Sequence, residues 1–332
     1  MGLLEPKIVV IGGGTGSFTL LSGLKRYTQN ITAIVNMADD GGSTGQLRDE
    51  LGVLPPGDVR QCLVALSDSP KMRELFNYRF EEGSFKGHAF GNIFLTALEK
   101  MTGSFAEAVD VADEVLNVKG RVVPVTLDNV HLIMRTRSGS DVIGEYQIGN
   151  MEFMVGEKRP HLELAPVAHI NIEAQHALKR ADIIVIAPGN LYGSIAPALL
   201  VGGMAEALRS TSATIAYVCN LVTKPGQTDR FYVHDFASEI ERFVGAPILD
   251  YVLYNTEQPH GDLLKKYQSD AEYSVGFDRA VLKKQHYKSK GYNLLSQFVA
   301  QPNTTDRIAQ SRSYIRHDSA VTARQIMRLH FS

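Results

Sequence analysis

Tryptophan is missing from the 332 residues, and cysteine occurs only twice. Two cysteines far apart cannot form a disulfide framework or a four-ligand zinc site, and they suit a reducing compartment. An excess of either charge is also lacking. The 34 Lys and Arg against 36 Asp and Glu leave a net charge of −2, so nothing global points to nucleic acid or an anionic membrane surface. No apolar run approaches the roughly 18 residues of a membrane span. The opening MGLLEPKIVVIGGG has neither a basic leader nor a cleavage site, so the expected location is the cytoplasm. At 44% apolar and 21% charged residues the chain is not broadly disordered. Its length suits two domains or one large α/β domain.

Glycine, by contrast, is crowded. Ten of the 29 glycines fall between Gly12 and Gly57. Around them the chain alternates strand and helix patterns. Lys7–Ile11 reads as a strand, Ser17–Tyr27 as a helix and Ile31–Met37 as a second strand. A helix-rich stretch follows to residue 118. Arg121–Thr126, Val130–Thr136 and Asp141–Ile148 read as short strands, with a hairpin turn at Ser138-Gly139-Ser140. Parallel-sheet character returns with strands at Asp182–Ala187, Thr214–Cys219 and Tyr251–Tyr254, and helices at Glu173–Arg180, Ile195–Leu208 and His234–Val244. A last helix begins after Asp318 or Ser319 as N-cap. The expected fold is a doubly wound, mostly parallel, Rossmann-like α/β sheet with a helical insertion and a short antiparallel segment. Residues 1–260 are expected to form the nucleotide-binding core and 261–332 an extension packed on it, unless the two are one domain.

Gly12-Gly13-Gly14-Thr15-Gly16 joins the first strand to its helix. Glycine there admits unusual φ and lets backbone N–H groups approach a ligand, and the helix N-terminus favours an anion, so the loop reads as a phosphate site. It is not the dinucleotide fingerprint, because Ser17 stands at the last glycine position, and no Lys follows as in a P-loop. Asn36 takes the place of the acid that a dehydrogenase carries at the end of strand two.

The next loop, Asn36 to Gly45, borders the same crevice. Asp39 and Asp40 are hard oxygen ligands suited to Mg²⁺, and Ser43 and Thr44 can donate to a second phosphate. In Leu54-Pro55-Pro56-Gly57-Asp58-Val59-Arg60, Asp58 is a third carboxylate or a helix cap, and Arg60 a phosphate clamp. Pro188-Gly189-Asn190-Leu191-Tyr192-Gly193-Ser194 repeats the strand–turn–helix logic, with Asn190 and Ser194 as polar contacts and Tyr192 as a stacking face. Thr223 to Thr228 offers hydroxyls and a cation, or is simply a capped loop. His88 and Asn92 precede an apolar helix, as contacts to ribose or phosphate, as acid and base, or, for His88, as a structural histidine.

GGGTG, then ADDGGSTGQLRDELGVLPPGDVRQCLVAL, GHAFGN and APGNLYGSIAPALL, in this order, resemble the YvcK/CofD family over roughly residues 7–255. LPPGDVRQCLVAL and NLVTKPGQTD are closer to its YvcK-type branch. That branch comprises gluconeogenesis factors linked to cell shape and able to bind UDP-sugars. The other branch transfers a phospholactyl group to a deazaflavin coenzyme precursor. The resemblance implies that Gly12–Gly16 hold phosphate, that Asp39, Asp40, Asp58 and His88 sit at any reacting centre, and that Asp40 and Asp58 hold Mg²⁺. Ser43, Thr44, Arg60, Asn92, Gly189, Asn190, Tyr192, Ser194, Thr223 and Thr228 would complete the nucleotide site.

Three functions follow for test: a UDP-sugar-binding regulator, a Mg²⁺-dependent phospholactate-type transferase, and an NAD enzyme, which the glycine spacing and Asn36 disfavour. GDP is the other nucleotide to consider. A homo-oligomer is expected, without nucleic-acid partners. The polar stretch at Gln301–Asp306 reads as a surface loop, with Thr304 and Thr305 as candidate phosphorylation positions.

Overall fold

A computed structural model describes residues 5–135, 141–153, 159–259, 261–297 and 315–331. The first three strands are β1 (Ile8–Gly12), β2 (Ile31–Val35) and β3 (Arg121–Pro124). The chain then leaves the main sheet for a small antiparallel one, order β5-β4-β6, built from β4 (His131–Arg135), β5 (Asp141–Ile143) and β6 (His161–Ala165). It returns as β7 (Ile183–Ile186), β8 (Thr214–Val218), β9 (Tyr251–Asn255) and β10 (Lys288–Tyr292). The seven-stranded sheet has the order β10-β9-β8-β7-β1-β2-β3 and is parallel throughout.

Helices follow from the same pattern. Before β3 run α1 (Gly14–Leu24), α2 (Gly42–Leu51), α3 (Pro56–Leu66), α4 (Pro70–Asn77), α5 (Phe90–Thr102) and α6 (Phe105–Leu116). Next come α7 (Glu145–Asn150), α8 (Ile172–Arg180), a π-helical turn at Leu191–Ile195, α9 (Ala196–Leu200), α10 (Met204–Ser210) and α11 (Val233–Val244). The series closes with α12 (Gly261–Ser269), α13 (Arg279–Leu282) and α14 (Ser319–Leu329). β1 and β7 are buried along their whole length, as central strands covered on both faces must be.

The chain winds outward from β1 through β2 to β3, then crosses back to β7 and winds the other way. The gap between the loops after β1 and β7 is therefore the topological switch point, where such sheets take ligands. The two loops touch closely there. A Cβ on Gly16 would overlap the carbonyl oxygen of Pro188, so only glycine lets the backbones meet.

Two expected elements are corrected. Asp141–Ile148 is not one strand: β5 stops at Ile143, Gly144 turns at φ 109°, and α7 begins. Ile195–Leu208 is not one helix: Gly203, at φ 93°, separates α9 from α10, and the π turn precedes both. Five elements lack a sequence expectation: α2, β6, α12, α13 and β10.

The C-terminal residues share the core. β10 extends the main sheet by pairing with β9, with Lys288 opposite Tyr251. α14 lies against α1, where a Cβ on Gly23 would overlap the Ser319 carbonyl. Asp318 is its N-cap, accepting from the Val321 N–H at 2.8 Å. Ser138–Ser140, Thr304 and Thr305 lie outside the described residues. Among the described residues no helix is long and apolar enough to cross a membrane.

Candidate functional site

At the C-terminal edge of the sheet lies a cleft of about 620 Å³, a size suited to a nucleotide-scale ligand. Its floor is the β1–α1 loop: Gly13, Gly14, Thr15 and Gly16 line it. Gly13 caps α1 without any side-chain hydrogen bond, and Gly14 at φ 62° bends the loop. Gly41 opens α2 and Pro55 opens α3, again with no side-chain cap. Three helix N-termini, none with a side-chain cap from its own cap residue, thus face one cleft, an arrangement that favours anions.

The carboxylates are arranged around this floor. Asp58 is not the cap of α3, since Pro55 holds that position. Its carboxylate lies against the glycine loop, where a Cβ on Gly13 would overlap it. Asp39 Oδ1 accepts from the Gly41 N–H at 3.0 Å, and burial raises its carboxyl pKa. Asp40 is turned away from the cleft lining. Its Oδ1 accepts from the Tyr146 N–H at 2.7 Å, at the start of α7.

Ser43, Thr44, Arg60 and Asn92 line the cleft, and His88 stands behind them. His88 Nδ1 is 2.9 Å from Ser43 Oγ, Asn92 Nδ2 donates to the same oxygen at 3.2 Å, and Arg60 Nε donates to Asn92 Oδ1 at 2.8 Å. Arg60 also donates to Asn77 Oδ1 at 2.6 Å. This buried chain of bonds fixes the Ser43 hydroxyl and the guanidinium at the cleft wall.

Gly189, Asn190, Ser194 and Thr223 line the side beyond β7 and β8. Asn190 Oδ1 accepts from the N–H groups of Tyr192 and Gly193, at 3.3 and 3.1 Å. Asn220, which sequence reading passes over within NLVTKPGQTD, holds the Gly189 carbonyl at 2.7 Å. Besides Asp40 and His88, two further expected residues are not brought to the cleft. Tyr192 is fully buried, edge-on to Phe153 and Phe243, and presents no stacking face there. Thr228 accepts from the Lys224 N–H at 2.8 Å within its own loop. Gly12 ends β1 beneath the lining residues.

The structure adds residues with no local sequence signal. Glu145 reaches the cleft from α7, and Glu272, Tyr267 and His317 form its far end together with Lys224, the cation expected of the Thr223–Thr228 loop. Burial, then the charges of Asp39, Asp58 and Asp40, push the Glu145 carboxyl well above its usual range, with Lys224 opposing. Burial lowers Lys224, against Glu145 and Glu272. The charges of Asp39 and Asp58 therefore raise the cost of a charge on Glu145, which a nearby cation would lower. Among the described residues no group of three or more His, Cys, Asp or Glu is arranged to hold a metal ion, so a Mg²⁺ here would need phosphate and water to complete its shell.

Comparison with known proteins agrees with this fold. The model of the 2-phospho-L-lactate transferase CofD family matches residues 8–295. The gluconeogenesis factor of Bacillus subtilis is 39% identical over 282 residues, covering 84% of this chain and 88% of that one. A Clostridium acetobutylicum relative is 44% identical over 281 residues, 84% of this chain; the match spans 62% of that protein's length. A crystal structure of a Bacillus halodurans protein is similar with a TM-score of 0.87 and 35% identity, covering 98% of this chain and all of the other.

Proposed function

We propose a function from one fixed premise: this chain belongs to the YvcK/CofD family. It is a YvcK-type gluconeogenesis factor, a cytoplasmic regulator of carbon metabolism and cell shape that takes a UDP-sugar in the cleft. The observation that carries this reading is the convergence of the glycine loop and three helix N-termini, none capped by its own cap residue's side chain, on a cleft of about 620 Å³. Backbone dipoles hold the diphosphate there, and few cationic side chains are needed.

Asp39 and Asp58, which line the cleft, would hold Mg²⁺, and the ion would neutralise phosphate charge. Asp40, the other sequence candidate, instead anchors α7. Arg60 and Ser43 orient phosphate oxygens.

The family's transferase description supports a second reading: attack of an acceptor hydroxyl on a diphosphate phosphorus, with release of a nucleoside monophosphate. In that reading Asp58, which lies against the glycine loop, would receive the hydroxyl proton, leaving Asp39 as the carboxylate for the metal. Calorimetric titration of UDP-N-acetylglucosamine, GDP and NAD, each with Mg²⁺, separates the readings. The UDP-sugar is expected to bind at least roughly tenfold tighter than NAD, a difference of about 1.4 kcal/mol. Equal affinities would sink the regulator reading.

A further inference from the structure

The short helix α7 is held in place far more heavily than six residues require. Asp40 accepts the Tyr146 N–H. Gln227 shares its amide N–H group among the carbonyls of Ile148, Gly149 and Met151, each at 3.0 Å. Phe153 N–H donates to the Gly226 carbonyl at 2.9 Å. These anchors come from the loops after β2 and β8, so α7 bridges the cleft from one side of the switch point to the other. Its neighbour Tyr146 is exposed. What the bridge delivers inward is the Glu145 carboxyl, which lines the cleft.

Space is kept for that carboxyl. A Cβ on Gly193 would lie 2.5 Å from Glu145 Oε1, and one on Gly149 3.6 Å from it. Among the described residues nothing forms a hydrogen bond with it. At the same time the place where a doubly wound fold carries its diol-binding acid, the end of β2, is occupied by Asn36. Asn36 Oδ1 is already engaged, accepting from the Ala38 N–H at 3.1 Å. The cleft has lost the acid at its usual position and gained one from the inserted segment.

We infer that Glu145, presented by α7, binds a hydroxyl-bearing ring of the nucleotide ligand and so sets which nucleotides the cleft accepts. This rests on the nucleotide-sugar reading above. Either a ribose or a hexose carries the required chemistry, since a carboxyl lining the cleft can bond a ring hydroxyl.

The test is titration of UDP-N-acetylglucosamine, UDP and 2′-deoxy-UDP into the full chain and into Glu145→Ala and Glu145→Gln. Glu145→Ala is expected to weaken UDP-N-acetylglucosamine by about tenfold or more, the scale of one hydrogen bond to an acidic group. If UDP is then unaffected, the contact is to the hexose. If UDP weakens and 2′-deoxy-UDP does not, it is to the ribose. Glu145→Gln, which keeps shape and an amide for hydrogen bonding, should lose less, and it answers where the alanine variant fails to fold. Unchanged affinities, or an equal loss for all three ligands in both variants, would overturn the inference. The parent's preference for UDP-N-acetylglucosamine over NAD judges the underlying reading separately, because the inference is read only from variant-to-parent ratios.

Discussion

The floor and the roof of the cleft are built in opposite ways. The floor comes from neighbouring residues in sequence: β1, its glycine loop and α1 form one uninterrupted unit. The roof is α7, whose position depends on Asp40 and Gln227, roughly a hundred residues before it and about eighty after. A local unit can be recognised from its own chemistry. A roof assembled by distant partners has no signature until the chain has folded.

Substitutions can break this contrast, and the largest effect belongs to the floor. Gly16→Ala drives a methyl group into the Pro188 carbonyl, a backbone atom that cannot turn aside. It is expected to cost about 3 kcal/mol or more in urea unfolding. A stable variant that still bound ligand would show that the floor yields.

Next in size is a pH effect at the far end, where His317 Nε2 lies 3.1 Å from the Cys219 carbonyl. Burial lowers the pKa of this histidine from 6.5 to about 4. The unfolded chain takes up the proton first as pH falls, so stability contributed by the neutral ring is present above 6.5 and lost between 6.5 and 4. The loss is on the order of 3 kcal/mol by pH 4. Unfolding free energies of the parent and His317→Gln should converge across that window. Parallel pH curves would remove His317 as the cause.

The smallest effect is at the roof. Gln227→Ala leaves three carbonyls without their donor and is expected to cost roughly 1–2 kcal/mol. It should weaken UDP-sugar binding more than it lowers the midpoint of unfolding suggests, because α7 loosens while the sheet stays intact. Binding unchanged from the parent would mean that α7 holds itself.

The same contrast explains what was legible. β1, the glycine loop and the Asp58 turn could be read because their apolar runs and turn residues lie together. Asp141–Ile148 misleads: its hydrophobic residues permit a strand, and the change to helix depends on Gly144 and on Asp40 receiving the Tyr146 N–H. β10, KSKGY, is an edge strand with no buried residue, so it carries no alternating apolar pattern and is held by backbone pairing to β9. α2 contains two glycines and looks like a loop. Its buried Arg48 instead donates to Asn129 Oδ1 at 3.0 and 2.6 Å and to the Val130 carbonyl. Tyr192 was legible as an aromatic beside the site, but its direction was not. The π turn sends the ring inward against Phe153 and Phe243.

The contact between Gly16 and Pro188 has a mechanical consequence. It holds the two winding directions of the sheet together directly beneath the cleft floor, where even a methyl group would push the two backbones apart.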